Sequence, residues 1–152
     1  MNKMKPKHIA WLLSVAYLVH IFDEYVSGTG FHNWFSEIFK INLSVTDFVV
    51  INSFGFTATV IIVILYSSGK INNFIIAALG SLFFINGLIH LAASVLTSTY
   101  SPGTISGLAI YLPLGFLIFK NIFPLVPEQQ RGMAVAAGLI IQLAVTLIAL
   151  NV

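Results

Sequence analysis

The chain has 152 residues, 58% hydrophobic and only 8% charged, with no cysteine and a mean hydropathy of +0.96. Soluble domains carry about 25% charged residues, so the composition excludes an ordinary soluble enzyme, and the lack of thiols excludes disulfides and cysteine-held metals. The formal charge of +2 comes from seven Lys and Arg scattered along the sequence; they form no basic patch, which excludes a nucleic-acid partner despite a pI near 9.0.

The predicted fold is all-α: a polytopic membrane bundle of about five transmembrane helices, forming a single integral membrane domain over residues 1–152. A span needs about 20 mostly apolar residues. The first runs from His8 to Val26. Lysines precede it as in a signal peptide, but His20, Asp23 and Glu24 follow where an Ala-x-Ala-like cleavage site would stand, so it reads as an uncleaved span. In the loop after it, Phe31, Trp34, Phe35, Ile38 and Phe39 recur at helical spacing. That pattern predicts a short interfacial helix in the headgroup layer, an anchor or a lid that guides a lipid inward. The second span runs from Thr46 to Tyr66, with Thr46-Asp47 as its start. Only Ser67 to Ile71 separates it from the third, Asn72 to Thr97, which predicts a tight antiparallel hairpin. The fourth, Thr104 to Phe119, is the shortest and should kink at Pro113. The fifth, Met133 to Leu150, has Gln142 as its one strongly polar residue and reads as scaffold or dimer face.

The basic residues set the orientation. Lys3, Lys5 and Lys7 precede the first span, Lys70 lies between the second and third, and Lys120 and Arg131 flank the loop before the fifth. Ser98 to Gly103 carries no Lys or Arg, and the long first loop only Lys40. By the positive-inside rule the N-terminus is cytoplasmic and the C-terminus outside. The first and third spans then run in the same direction. At 1.5 Å per residue, His20 sits roughly 9 Å before Val26 and His90 roughly 10 Å before Thr97. Both belong at the same depth in the outer leaflet.

A charged group at membrane depth costs a few kcal/mol unless it is paired, hydrated or metal-bound, so the polar residues inside the spans mark the place to look for function. His20 and Glu24 are four apart and share a helix face, with Asp23 beside them. Asn86 and His90 repeat that spacing on the third span. Two imidazoles and a carboxylate from neighbouring helices match the inward-facing ligand sets of helical-bundle metal sites. His20, Glu24 and His90 are the candidate metal ligands. Such a set suits a hydrolytic zinc site, and equally an iron or manganese centre. Asn86 would orient a ligand or a substrate carbonyl, and Asp23 or Glu24 would act as general base. The structural alternatives are a buried His20–Glu24 ion pair and an Asn86 hydrogen bond to a neighbouring helix. His8 and His32 read as interfacial bystanders; Glu37, Asp47 and Glu128 as loop or helix-start charges; Ser101-Pro102-Gly103 as a turn; and Tyr100 as a belt residue. The sequence has no His-Glu-x-x-His, no Gly-x-Ser-x-Gly and no phosphate-cradling loop. Ser94, Ser98 and Ser101 are nucleophile candidates by proximity alone.

Taken together, His20-x-x-Asp23-Glu24, Asn86-x-x-x-His90 and Pro102-Gly103 resemble the HXXEE-motif family of small bacterial integral membrane proteins. That family is marked by His-x-x-Glu-Glu, Asn-x-x-x-His and Pro-Gly motifs in this order. The resemblance implies a multi-pass protein of the bacterial cell membrane with the character of an enzyme and no assigned activity. Asp23 stands where the family has its first Glu; Glu24 matches, and so is the carboxylate expected to be essential. The reading that follows is a membrane-embedded, metal-dependent hydrolase acting on a lipid or lipid-like substrate. Its alternative is a small proton-coupled transporter or ligand-binding membrane protein with His20 and Glu24 as a proton relay. The odd number of spans and the lack of inverted repeats weigh against a carrier. Gly107-x-x-x-Tyr111 and the glycines of other spans offer close-packing faces for a homo-oligomer.

Overall fold

The computed structural model describes residues 4–152, and every regular element among them is helical. In chain order these are α1 (Pro6–Val26), a short α2 (Phe31–Phe39), α3 (Val45–Ser67), α4 (Asn73–Thr97), α5 (Thr104–Leu125) and α6 (Glu128–Leu150). All but α2 are long and apolar enough to cross a membrane, which makes this a multi-pass membrane protein.

The ends of the helices differ from the expected spans for local reasons. α1 starts at Pro6 rather than His8, because a proline in the first turn gives up an N–H that would have no partner there. α3 starts at Val45, with Ser44 as its cap. Ser44 Oγ accepts from the Asp47 N–H at 3.1 Å, and Asp47 Oδ2 accepts from the Ser44 N–H at 3.2 Å, a reciprocal box. α4 starts at Asn73, with the Asn72 side chain accepting from the Phe74 N–H at 3.1 Å. α6 starts at Glu128 rather than Met133. Its polar first turn is held because Arg131 Nε donates to the carbonyls of Phe123 (3.0 Å) and Val126 (3.1 Å).

α5 runs past Phe119 to Leu125 and is not uniform. After Thr104–Ser106 it widens into a π turn over Gly107–Tyr111, returns to α geometry over Leu112–Asn121, and tightens at Phe123–Leu125. Pro113 has no N–H to donate and its ring crowds the carbonyl four residues back; the π turn just ahead of it absorbs that conflict. Gly107 faces Gly87 on α4: a Cβ on Gly87 would lie 2.9 Å from the Gly107 carbonyl oxygen. The close-packing face expected at Gly107 is therefore used within the chain.

α4 is the centre of the bundle, packed on α6 and α5, while α1 packs on α3. α3 touches α4 and α6 only lightly, which leaves a gap between them. At one end Lys7 Nζ donates to the Ser67 carbonyl at 2.5 Å and Asn73 Nδ2 to the Leu125 carbonyl at 3.3 Å. Lys5, Lys7, Lys70, Lys120 and Arg131 belong to this end, opposite α2; Lys3 lies outside the described residues. At the other end α2 folds inward. Trp34 and Phe35 are buried against Leu43 and Ala149, and Trp34 Nε1 donates to Thr99 Oγ1 at 2.9 Å. Its aromatic stripe therefore forms a roof over the gap.

Candidate metal centre

The four-residue spacing on α1 and α4 turns His20, Glu24 and His90 toward each other. Glu24 Oε1 lies 3.6 Å from His20 Nε2 and 3.2 Å from His90 Nε2. Their ligand atoms all lie within 4.8 Å of one another, and all three residues are buried. Ligands about 2.0–2.2 Å from a tetrahedral zinc are themselves roughly 3.3 Å apart, close to both distances from Glu24. Helix geometry did the local work; α5, packed against both α1 and α4, brings their polar faces together.

The outer nitrogens of both rings are held by serines. Ser106 Oγ is 2.7 Å from Asp23 Oδ2 and 2.7 Å from His20 Nδ1. An ionised carboxylate only accepts, so the single hydroxyl proton goes to Asp23 and His20 Nδ1–H donates to Ser106. His20 Nε2 is then a bare lone pair, and it has no hydrogen-bond partner. A buried, orphaned imidazole nitrogen facing a carboxylate oxygen is a donor pair suited to a cation. His90 Nδ1 meets Ser101 Oγ at 3.1 Å, the same outer-nitrogen support.

Gly103 closes one side of the cluster. A Cβ there would lie 2.8 Å from Glu24 Cγ, 2.9 Å from His90 Cε1 and 3.0 Å from His20 Cε1. Its φ of +94° also favours glycine. The Pro102-Gly103 turn is thus a wall of the site, and its position explains why a side chain is missing there.

On its other side the cluster borders a cavity of about 720 Å³. Phe31, Trp34, Phe48, Leu82 and Val145 line it. Ile89 and Leu96 of α4 and Ile141 of α6 line it and are also exposed, so it is open to the surface along the gap that α3 leaves beside α4 and α6. Phe31 of α2 stands over the site, its ring 5.6 Å from that of His90.

The remaining sequence candidates are placed as follows. Asp23 stays outside the ligand group. Its Oδ2 accepts from the Ser106 N–H at 2.8 Å as well as from the hydroxyl, and its Oδ1 accepts from Ser27 Oγ. Asn86 lines the cavity one turn from His90 and donates Nδ2–H to Gln142 Oε1 at 3.3 Å. Ser101 and Ser94 are joined to each other and to Thr104, with Ser94 Oγ accepting from the Ser101 N–H at 3.0 Å and lying 2.9 Å from Thr104 Oγ1.

Sequence reasoning did not single out Ser106 or Tyr111 as site residues, and it read Gln142 as scaffold. Tyr111 stacks on His20 with ring centroids 4.2 Å apart. The π turn explains both omissions: its i→i+5 bonding brings Ser106 and Tyr111, five apart, on to the His20 side of α5, a pairing that α-helical spacing does not suggest. A polar residue beside Pro113 in a span was the available signal.

The chain matches no curated protein and no solved structure. A family match covers residues 11–118, more than half of the sequence, and takes in every residue of the cluster and its serine supports. By that match the chain belongs to the family described as protein of unknown function with HXXEE motif.

Proposed function

We propose that the protein is a membrane-embedded, metal-dependent hydrolase that acts on a lipid or lipid-like substrate. The observation that carries this reading is the convergence of three buried ligand atoms, from His20, Glu24 and His90, beside an apolar cavity that opens toward the lipid. Three protein ligands with a further position free distinguish catalytic from structural zinc sites; iron and manganese accept the same donors. A divalent cation there supplies Lewis acidity to a carbonyl or phosphoryl oxygen and acidifies water. The chain supplies the rest. Glu24 offers a second carboxylate oxygen for proton transfer, Asn86 and Tyr111 border the space where a substrate group would lie, and the α2 aromatics exclude water. The lysine pattern supports a position for the centre in the outer leaflet of the host membrane.

The test is turnover. The detergent-purified protein, loaded with zinc, manganese or iron, is incubated with long-chain esters and amides, and released fatty acid is measured by mass spectrometry. Release that depends on metal and vanishes in Glu24→Gln and His90→Ala supports the reading. No release with any of the metals, together with pH-driven solute movement in proteoliposomes, would replace it with the proton-coupled carrier.

A further inference from the structure

Besides His20 Nε2 of the metal centre, two buried polar atoms in the cavity wall have no partner: the Tyr111 hydroxyl and Asn86 Oδ1. Tyr111 is only 1% exposed, and its ring is fixed between His20 (4.2 Å) and Phe83 (4.5 Å). Two other polar side chains of the same cavity are paired with each other. Tyr17 donates to Asn52 Oδ1 at 3.4 Å, and Asn52 Nδ2 donates to the Phe48 carbonyl at 3.1 Å. A buried donor or acceptor left unmade is costly enough that it needs a reason.

The direction in which Asn86 points follows from a single proton. Thr146 donates its hydroxyl to the Gln142 main-chain carbonyl at 3.0 Å. Its Oγ1 can then only accept, and it does so from Gln142 Nε2 at 3.4 Å. That turns Gln142 Oε1 toward Asn86, which must answer with Nδ2 at 3.3 Å. Asn86 Oδ1 is left as a fixed acceptor on α4, while Tyr111 offers a fixed O–H donor on α5.

We infer that the cavity recognises a secondary amide in its ligand, with the ligand N–H bound by Asn86 Oδ1 and its carbonyl by the Tyr111 hydroxyl. A trans amide carries its N–H and C=O on opposite sides of one rigid plane, which suits partners on two helices. An ester of the same chain length has no donor and would leave Asn86 Oδ1 unpaired. Sites built around a substrate's donor discriminate strongly against analogues that lack it. This inference rests on the reading of the cavity as a lipid-like substrate site, and it names the linkage: a long-chain secondary amide.

Binding tests it without turnover. Of the two tryptophans, Trp34 lines the cavity, so in a Trp11→Phe background its fluorescence reports occupancy. The full-length protein in detergent, with chelator present, is titrated with N-methylhexadecanamide and with methyl hexadecanoate. The amide should bind at least about tenfold tighter, the worth of one well-made hydrogen bond at the upper end of its range. Asn86→Leu keeps the volume but removes the acceptor that only the amide uses, and should bring the amide down toward the ester's affinity. Tyr111→Phe keeps the stacked ring but removes the donor that either carbonyl would use, and should weaken both probes. Equal affinities in the parent protein, no binding of either probe, an amide preference that survives Asn86→Leu, or unchanged binding of both probes in Tyr111→Phe would overturn the inference. The readout needs no metal, so the amide preference can hold while the metal reading fails, and the reverse.

Discussion

Ser106 has one hydroxyl proton and three neighbours that could take it, Asp23 and His20 at 2.7 Å and the Gly103 carbonyl at 3.2 Å, of which the carboxylate is the strongest acceptor. The competition settles the tautomer of His20, and with it which nitrogen faces Glu24. Partners of this kind, bound to the outer nitrogen of a ligating histidine, change metal affinity by about 10–100-fold. Ser106→Ala should therefore weaken zinc binding by that factor, measured by competition with a chelating dye, while the protein stays folded; wild-type affinity would show that the relay sets nothing. Asp23 and Ser106 are 83 residues apart, and no periodicity in a single chain links them. By contrast, His20–Glu24 and Asn86–His90 were legible, because each pair is one helical turn apart and a polar pair is conspicuous in an apolar run. The sequence could offer Asp23 or Glu24 as the base; only the packing of α5 against α1 shows Asp23 bound up with Ser106 and Ser27.

Helices and their order were the most readable level, since a span is a property of length and composition and needs no tertiary partner. Their ends were less so. The fifth span was read from Met133, with Glu128 open as a loop or helix-start charge; it is the helix start, held because Arg131 reaches back to the carbonyls of Phe123 and Val126. Pro113 announced an irregularity without saying that it would be a π turn. Which helices pack together was hidden, because in a membrane packing rests on small residues and close contact rather than on an apolar stripe; Gly107 marked a close-packing face without naming its partner. α6 carries both kinds of glycine. A Cβ on Gly138 would lie 2.7 Å from the Leu82 nitrogen and 2.8 Å from the Ala78 oxygen, both backbone atoms of α4 that cannot yield, whereas one on Gly132 meets nothing within 4 Å. Gly138→Ala should cost about 1–3 kcal/mol, and Gly132→Ala should stabilise by about 0.4–1 kcal/mol. Thermal unfolding of both variants in one detergent checks this; shifts in the same direction would contradict the packing described for α4 and α6.

For the molecule as a whole, the arrangement has one organising consequence. α4 gathers α5 and α6 about itself, α1 and α3 pair, and the light contact of α3 with α4 and α6 leaves a cavity roofed by α2. The buried His20, Glu24 and His90 lie at the wall of that cavity. A carboxylate buried between two imidazoles, one with an orphaned nitrogen, is costly as it stands; a divalent cation would turn the same three groups into ligands. Elemental analysis of the detergent-purified protein, beside His20→Ala and His90→Ala, tests this most directly. The account predicts near-stoichiometric zinc, manganese or iron in the parent protein and its loss in both variants. A parent protein without metal after incubation with divalent ions, or variants that keep full occupancy, would contradict it.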